Sequence, residues 1–177
     1  MNKKVIVISA LCLLALALSA VGVYAYLTAK TTPVSNEFVP AKVSCMVEEV
    51  FENGVKSDVK IRNTGNVDAY IRAAVIVNFV NADGNIVATA PKEDVDYTVT
   101  WGPEGWTKGA DGYWYYKKAV APEDVTLPLI VSASPTESES ELRLQIQILA
   151  SAFQAAPESA VIEAWKVSVT DGEIIPD

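Results

Sequence analysis

Acidic side chains are the residues of this chain that come closest to a catalytic arrangement. The chain has no histidine, which excludes His-ligated zinc and every Ser-His or Cys-His nucleophile pair. Carboxylates remain, as Glu48 beside Glu49 and as Glu137 with Glu139 and Glu141. Two carboxyl groups across a cleft can hydrolyse a glycoside, but these short acidic runs are typical of solvated faces and loops. We therefore predict no catalytic residues and no enzyme activity.

A second group of oxygen-bearing side chains has the spacing of a calcium loop. Asn81, Asp83 and Asn85 stand where an EF-hand has its first ligands. An EF-hand continues with a glycine and ends on a bidentate glutamate, whereas here Ile86 follows and Lys92 holds the final position. The sequence therefore predicts a hairpin turn at this place, with no metal site and no cofactor.

Aromatic side chains are crowded between residues 97 and 116. Exposed rings could form a platform for the faces of sugars or for a partner surface. Alternatively, the rings pair across strands and stabilise a twisted hairpin, which is the interpretation that we favour. A monomeric adhesin that binds glycans or surfaces stays open as an alternative function. The candidate ligand platform comprises Trp101, Trp106, Tyr113, Trp114 and Tyr115.

The N-terminal segment carries an export signal. Lys3 and Lys4 precede an apolar run from residue 5 to residue 21, and no further charge occurs before Lys30. A bilayer core is spanned by about 20 apolar residues. The run is therefore long enough to act as a signal peptide or to remain as an anchor.

The residues after the apolar run favour cleavage. Val23 and Ala25 place short side chains at the −3 and −1 positions of a cut between Ala25 and Tyr26. We predict that residues 1–25 are a removed signal peptide, and that the mature protein is secreted to the extracellular matrix or the cell surface. Its contacts with the membrane and with signal peptidase are then limited to export.

Charge and cysteine content restrict the partners of the mature chain. Loss of residues 1–25 removes Lys3 and Lys4 and no acid, so the net charge moves from −8 to −10. Nucleic acid and anionic lipid are thus excluded as partners. The remaining cysteine, Cys45, has no partner within the mature chain and lies on the apolar face of a predicted strand, where it is expected to be a small buried hydrophobe.

Beyond residue 41, the dominant hydrophobic period is two, which indicates strands with one buried face. Residues 71–79 and 142–150 show this alternation over the greatest length, and we predict that they are central strands. About eight strands predict a two-sheet sandwich, jelly-roll-like, over residues 42–177. Further strands are expected at residues 43–47, 59–63, 97–101, 113–117, 125–131 and 165–169.

Residues 157–164 form the segment with a helical pattern. Pro157 suits the first turn of a helix, and Glu158 lies near the positive end of the helix dipole. The sequence predicts one short helix near the C-terminus, which covers one end of the sandwich.

Residues 26–41, here called the leader, are mostly polar and cannot build a core of their own. Their large apolar side chains are Tyr26, Leu27, Phe38 and Val39. One interpretation is a flexible leader that ends in an edge strand. The other is an extended donor segment that adds to the sheet of a neighbouring molecule.

Three segments resemble the TasA and camelysin-like biofilm matrix proteins of Gram-positive bacteria. They are the end of the signal peptide, VYAYLT at residues 23–28, the strand-turn-strand VKIRNTGNVDAYIR at residues 59–72, and a late strand near Ala164 and Trp165. The resemblance implies a dedicated signal peptidase, a jelly-roll domain, and fibres in which the N-terminal segment of one subunit completes the sheet of the next.

We therefore expect a secreted structural subunit of extracellular fibres or biofilm matrix, with copies of itself as its partner. The camelysin branch of the resembled family carries a metalloprotease label, which this chain does not support because it lacks histidine. Two alternatives stay open. They are the monomeric adhesin and a metalloprotease whose metal is held by carboxylates alone.

Overall fold

A computed structural model describes residues 3–4, 6–9, 11–14, 39–136 and 142–177. It divides the chain into two units, Met1–Val39 and Pro40–Asp177. In the first unit the described residues between 3 and 14 are helical and exposed, and Val39 is exposed and outside regular secondary structure. No helix in the described ranges combines the length and the apolar character needed to span a membrane.

The described part of the second unit contains ten strands and one helix, the C-terminal helix Glu158–Trp165. The predicted helix over residues 157–164 is thus confirmed. The strands are β1 Cys45–Glu52, β2 Val55–Asn63, β3 Ala69–Val80, β4 Tyr97–Trp101, β5 Trp106–Lys108, β6 Trp114–Tyr116, β7 Ile130–Pro135, β8 Arg143–Gln154, β9 Ser168–Thr170 and β10 Glu173–Ile175.

Two four-stranded antiparallel sheets form the fold. The strand orders are β1-β2-β7-β4 and β5-β6-β3-β8, and β9 and β10 pair separately. The predicted all-β, jelly-roll-like sandwich is confirmed. The order β2-β7-β4 in one sheet and the order β6-β3-β8 in the other match those of a jelly roll. The edges differ from that arrangement. A jelly roll pairs its first strand with its last, whereas here β1 pairs with β2 and leaves β8 at a sheet edge.

β3 and β8 follow the predicted period of two. Residues 71–79 lie in β3, which is a central strand as predicted. The prediction of a central strand at residues 142–150 is wrong, because β8 pairs with β3 on one side only and stands at the sheet edge in the described ranges. β3 and β8 pair along their whole length, from Ala69 opposite Gln154 to Val80 opposite Arg143. Ile71 of β3 is buried between the sheets, as is Ile61 of β2 in the facing sheet. Apolar side chains on alternate positions of both sheets thus meet in one core. Its buried members are Val59, Ile61, Ile71, Ala73, Trp106, Val120, Leu129, Ile130 and Ala133.

A second core lies on the opposite face of β3. Tyr70, one residue before Ile71, points away from the first core because side chains alternate along a strand. The C-terminal helix and the β9-β10 hairpin cover this face and bury it. The buried members of the second core are Tyr70, Tyr115, Val161, Trp165, Val167 and Ile174.

Two predicted strand positions are wrong in part. The segment predicted at 125–131 becomes a strand only from Ile130, because Pro128 supplies no N–H to a ladder. The strand predicted at 165–169 begins only at Ser168, because Trp165 still belongs to the helix and Lys166 ends it in the left-handed conformation at φ 55°. The three-residue strands β5 and β10 were not predicted, since so few residues show no periodicity.

Candidate assembly site

Most of the predicted assembly residues lie outside the described part of the chain. This applies to the cleavage pair Ala25 and Tyr26, to Leu27 and to Phe38. Val39 is described, and its side chain is 72% exposed. What the structure does describe is the place where the leader joins the sandwich and the sheet edges that could receive it.

The end of the leader is fixed to the turn that follows β2. The Lys42 backbone N–H donates to Asn66 Oδ1 at 2.6 Å, and Asn66 Nδ2 donates to the Pro40 carbonyl at 3.0 Å. Backbone hydrogen bonds join Asn66 N to Lys42 O and Thr64 N to Ser44 O. We call this contact between residues 40–44 and residues 63–66 the leader clamp.

Two residues give the leader clamp its shape. Asn63 is fully buried, and its side-chain amide donates to the Val67 and Val120 carbonyls at 2.8 Å each. Its Oδ1 accepts the Gly65 N–H at 2.9 Å, which tightens the turn. A Cβ on Gly65 would stand 2.3 Å from the Lys42 carbonyl oxygen, so only glycine permits the close approach of the two segments.

The two sheets leave their edges β1 and β8 on the same side of the sandwich. These strands approach one another without forming a ladder. In the described ranges no strand pairs with the outer edge of β8, although β8 is 12 residues long. A long edge strand presents a row of backbone donors and acceptors to which another strand can add.

The inward side chains along this pair of edges are incompletely buried. Leu144, Ile146 and Ile148 of β8 are only half-buried, and so are Phe79, Val77 and Val75, which lie opposite them on β3. Ile71 on the same face of β3, nearer its other end, has 0% exposure. On β1, Cys45 and the other inward residues are likewise half-buried. We call the edges β1 and β8 with these inward rows the open side.

A cavity of about 710 Å³ continues the open side at one end of the sandwich. Its apolar wall comes from both sheets and contains Phe51, Phe79, Pro135, Leu144 and Ile146. Phe51 stands at its rim with 66% exposure. Four charged residues also line it. Lys56 and Glu49 neutralise each other in an ion pair at 2.6 Å, while Asp96 accepts the Lys92 backbone N–H and Arg143 donates to the Asn81 carbonyl. The apolar part of the wall is suited to an apolar group.

The aromatic window does not form a common exposed platform. Trp106 and Tyr115 are buried, with exposures of 8% and 1%, one in each core. Trp101 and Trp114 are half-buried and stack with ring centroids 4.5 Å apart. Tyr113 is also half-buried. Trp106 packs edge-on against its cross-strand neighbour Tyr116, so the hairpin-pair interpretation holds for these two rings.

The residues first considered for chemistry have structural partners. Glu48 pairs with Arg62 at 2.6 Å, and Asn81 Oδ1 accepts the backbone N–H groups of Asp83 and Asn85, as in a turn. Burial raises the pKa of the half-buried Cys45 thiol. Within the described ranges no group of acidic or thiol side chains is arranged to hold a metal ion. Glu137, Glu139 and Glu141 lie outside those ranges.

On the outer face of β3, aromatic rings enclose the guanidinium group of Arg72, which was not among the predicted site residues. The Arg72 guanidinium carbon lies 4.2 Å from the centre of the Tyr113 ring and 4.7 Å from that of Trp165. Such contacts stabilise a partly buried positive charge. A charged residue inside the apolar run of β3 was the available signal, but the rings that enclose it come from distant parts of the chain.

Comparisons of the chain with protein-family models, with curated proteins and with solved structures gave no match.

Proposed function

We propose that the chain is a secreted structural subunit of extracellular fibres or of a biofilm matrix. In this assembly the leader of one copy adds as a strand to the open side of the next copy. The observation that carries the proposal is the open side itself, a 12-residue edge strand whose inward side chains are only half-buried. In this role the protein is not an enzyme and uses no cofactor.

Strand addition would supply two kinds of free energy. The outer edge of β8 offers backbone hydrogen-bonding groups, which give affinity along the whole strand. Completing the burial of Leu144, Ile146 and Ile148 adds a hydrophobic contribution, since full burial of such a side chain is worth about 1.5–3 kcal/mol. The resemblance to TasA-like matrix proteins supports the same assembly mode.

The leader clamp supports a leader that reaches outward. Four hydrogen bonds between backbone and amide groups, and one between the Ser44 and Thr64 hydroxyls, hold residues 40–44 against the turn 63–66. A segment attached so firmly at its base leaves the sandwich from a defined point, which lowers the entropy lost when it binds a neighbour.

Deletion of the leader tests the proposal. The secreted chain without residues 26–41 should remain a folded monomer, because the sandwich strands lie downstream, while the intact chain sediments as polymers. Phe38→Asp should weaken assembly in the same direction, since the segment would carry an unpaired charge into a sheet. N-terminal sequencing of the secreted protein should give Tyr26 as the first residue.

A peptide of residues 26–42 provides the complementary measurement. Added to growing polymers, it should shorten them by occupying the open side of the terminal subunit. If the truncated chain sediments as fibres as the intact chain does, the leader is not the donor. If the intact chain is a single monomeric species at all concentrations, the adhesin alternative replaces the fibre subunit.

A further inference from the structure

The second unit has two different ends along its strands. β1 begins beside the leader clamp and runs away from it, and β2 returns to it. β8 runs in the opposite sense, since its first residue Arg143 pairs with Val80 and its last residue pairs with Ala69, the residue that starts β3. The cavity is lined by the start of β8 and the end of β3. The leader clamp and the cavity therefore lie at opposite ends of the sandwich.

This arrangement fixes the direction of an added leader. The leader leaves its own subunit at the clamp end, so its residues nearest to Val39 stay close to that subunit. In a head-to-tail contact these residues meet the cavity end of the next subunit, and Tyr26 lies furthest along it. The donor then runs antiparallel to β8, the pairing with the better hydrogen-bond geometry.

The geometry points to Phe38 as the side chain that fills the cavity of the neighbouring subunit. This inference rests on the proposed function, because it concerns the same leader and the same open side. Phe38 is the aromatic residue of the leader nearest to the base, and aromatic rings bind favourably among the Phe51 and Phe79 rings of the cavity wall. A cavity of about 710 Å³ is within the usual size range of binding pockets.

The lengths agree with this placement. Residues 26–39 span about 46 Å when extended, and β8 with its 12 residues spans about 40 Å. With Phe38 opposite Leu144, antiparallel pairing places Val34 opposite Ile148, so both of these apolar leader side chains face inward. The same period turns three polar leader residues inward, Asn36 between them and Thr32 and Lys30 beyond Val34, so the apolar contact is concentrated at the cavity end. A leader that folded back on its own sandwich would run in the reverse direction and bring Leu27 to the cavity instead.

Disulfide trapping tests the placement. The full chain with Cys45→Ser is expressed in a Gram-positive secretion host with the added pair Phe38→Cys and Leu144→Cys. Residues directly opposed on paired strands lie within the Cα separation of about 4.4–6.8 Å that a disulfide needs. We expect a ladder of covalent multimers on a non-reducing gel, which collapses to one band after reduction.

Two matched pairs control the result. Phe38→Cys with Ile148→Cys should give no ladder, because Ile148 lies about 13 Å further along β8. Leu27→Cys with Leu144→Cys should give no cross-link within one chain. A ladder from the first control pair, or a monomeric cross-link from the second, overturns the placement of Phe38 in the cavity.

Sedimentation of the same samples separates this inference from the proposed function. If the Cys45→Ser parent forms polymers but Phe38 and Leu144 do not cross-link, strand addition stands and the cavity assignment fails. If the parent forms no polymers, the proposed function fails first. As a second readout, Phe38→Ala should raise the concentration needed for polymers about tenfold or more, whereas Val39→Ala, on the opposite face of the donor, should change it little.

Discussion

The two lateral sides of the sandwich are closed in different ways. On the side of β4, β5 and β6, rings close the gap between the sheets, since Trp101 of one sheet stacks on Trp114 of the other. Trp106 adds to this side by packing on Tyr116 of the neighbouring strand in its own sheet and by lying in the first core. On the open side, the inward rows of β1 and β8 are aliphatic and half-buried. We call the first the aromatic side.

The difference shows which side of the sandwich the chain can close with its own side chains. Large rings span the space between two sheets without a further strand, and each buries a large apolar area. Leu144, Ile146 and Ile148 are too short for this, so the open side requires another strand to complete its burial. A subunit with one finished and one unfinished side is suited to add neighbours at one edge only, which favours linear growth.

The largest expected effect is on folding, when aspartate replaces an inward isoleucine in the core or on the open side. Ile71→Asp should give no folded protein, because its side chain has 0% exposure and an unpaired buried carboxylate costs several kcal/mol against a total stability of about 5–15 kcal/mol. Ile146→Asp, on the open side, should leave a folded but weakened sandwich that does not polymerise. Far-UV circular dichroism and sedimentation of the secreted proteins measure both outcomes.

Gln147→Asp is the matched control, since Gln147 neighbours Ile146 in sequence but faces outward and is exposed. It should change neither folding nor assembly. Equal loss of structure from Ile71→Asp and Ile146→Asp would show that the open side is as tightly packed as the core.

A smaller loss of unfolding free energy is expected from removing a ring on the aromatic side. Trp106→Ala removes a ring that is 8% exposed and a hydrogen bond from Nε1 to the Leu127 carbonyl at 2.9 Å. Truncating a buried tryptophan costs about 3–5 kcal/mol. Urea unfolding should show this loss, and Trp106→Phe should recover part of it. An unchanged midpoint would mean that the rings do not close this side.

The existence of the strands and the pairing of neighbouring rings were predictable from sequence. The alternation in residues 71–79 and 142–150 predicts β3 and β8, because each strand has one face toward the core. Cross-strand pairing of rings was the favoured interpretation of the aromatic window, and it describes Trp106 and Tyr116. In these cases neighbouring residues in the sequence carry the information.

The open side could not be predicted from sequence. Leu144 and Ile146 have the same pattern as Ile71 and Ala73, although their final exposure differs. Exposure depends on what covers each part of a strand in the folded sandwich, and this is decided by contacts between residues far apart in the chain. The pairing of β1 with β2 has a local signature in the two-residue turn Asn53-Gly54, where both residues have positive φ, but nothing in the sequence of β8 shows that it is left at an edge.

Cys45 provides a native probe of the open side. The quantity measured is the rate of alkylation of its thiol, for which we expect changes of about tenfold. Its side chain faces inward from β1, and burial raises the pKa of its thiol, so alkylation near neutral pH should be slow and should accelerate about tenfold per pH unit below the pKa. If an added strand covers the open side, polymers should react more slowly still than monomers at the same pH. Equal rates in monomer and polymer would place the assembly contact elsewhere. Mass spectrometry of alkylated protein gives both rates.

The smallest expected effect concerns Tyr115, a β6 residue whose side chain lies in the second core, on the face of its sheet that points away from the first core. Burial raises the pKa of its phenol, the hydrogen bond to Asp111 raises it further, and Arg72 opposes these effects. Because the folded-state pKa lies above the unfolded value of about 10, the stability from the neutral phenol is complete below that pH and is lost as pH rises through the folded-state pKa.

Tyr115→Phe should lower the neutral-pH unfolding free energy by about 1 kcal/mol through loss of the Asp111 hydrogen bond, and should make the decline above pH 10 less steep. Urea unfolding between pH 7 and pH 11 measures both changes, and polymer formation at neutral pH should be retained. Loss of polymers in this variant, with the sandwich still folded, would mean that the second core, rather than the open side, controls assembly.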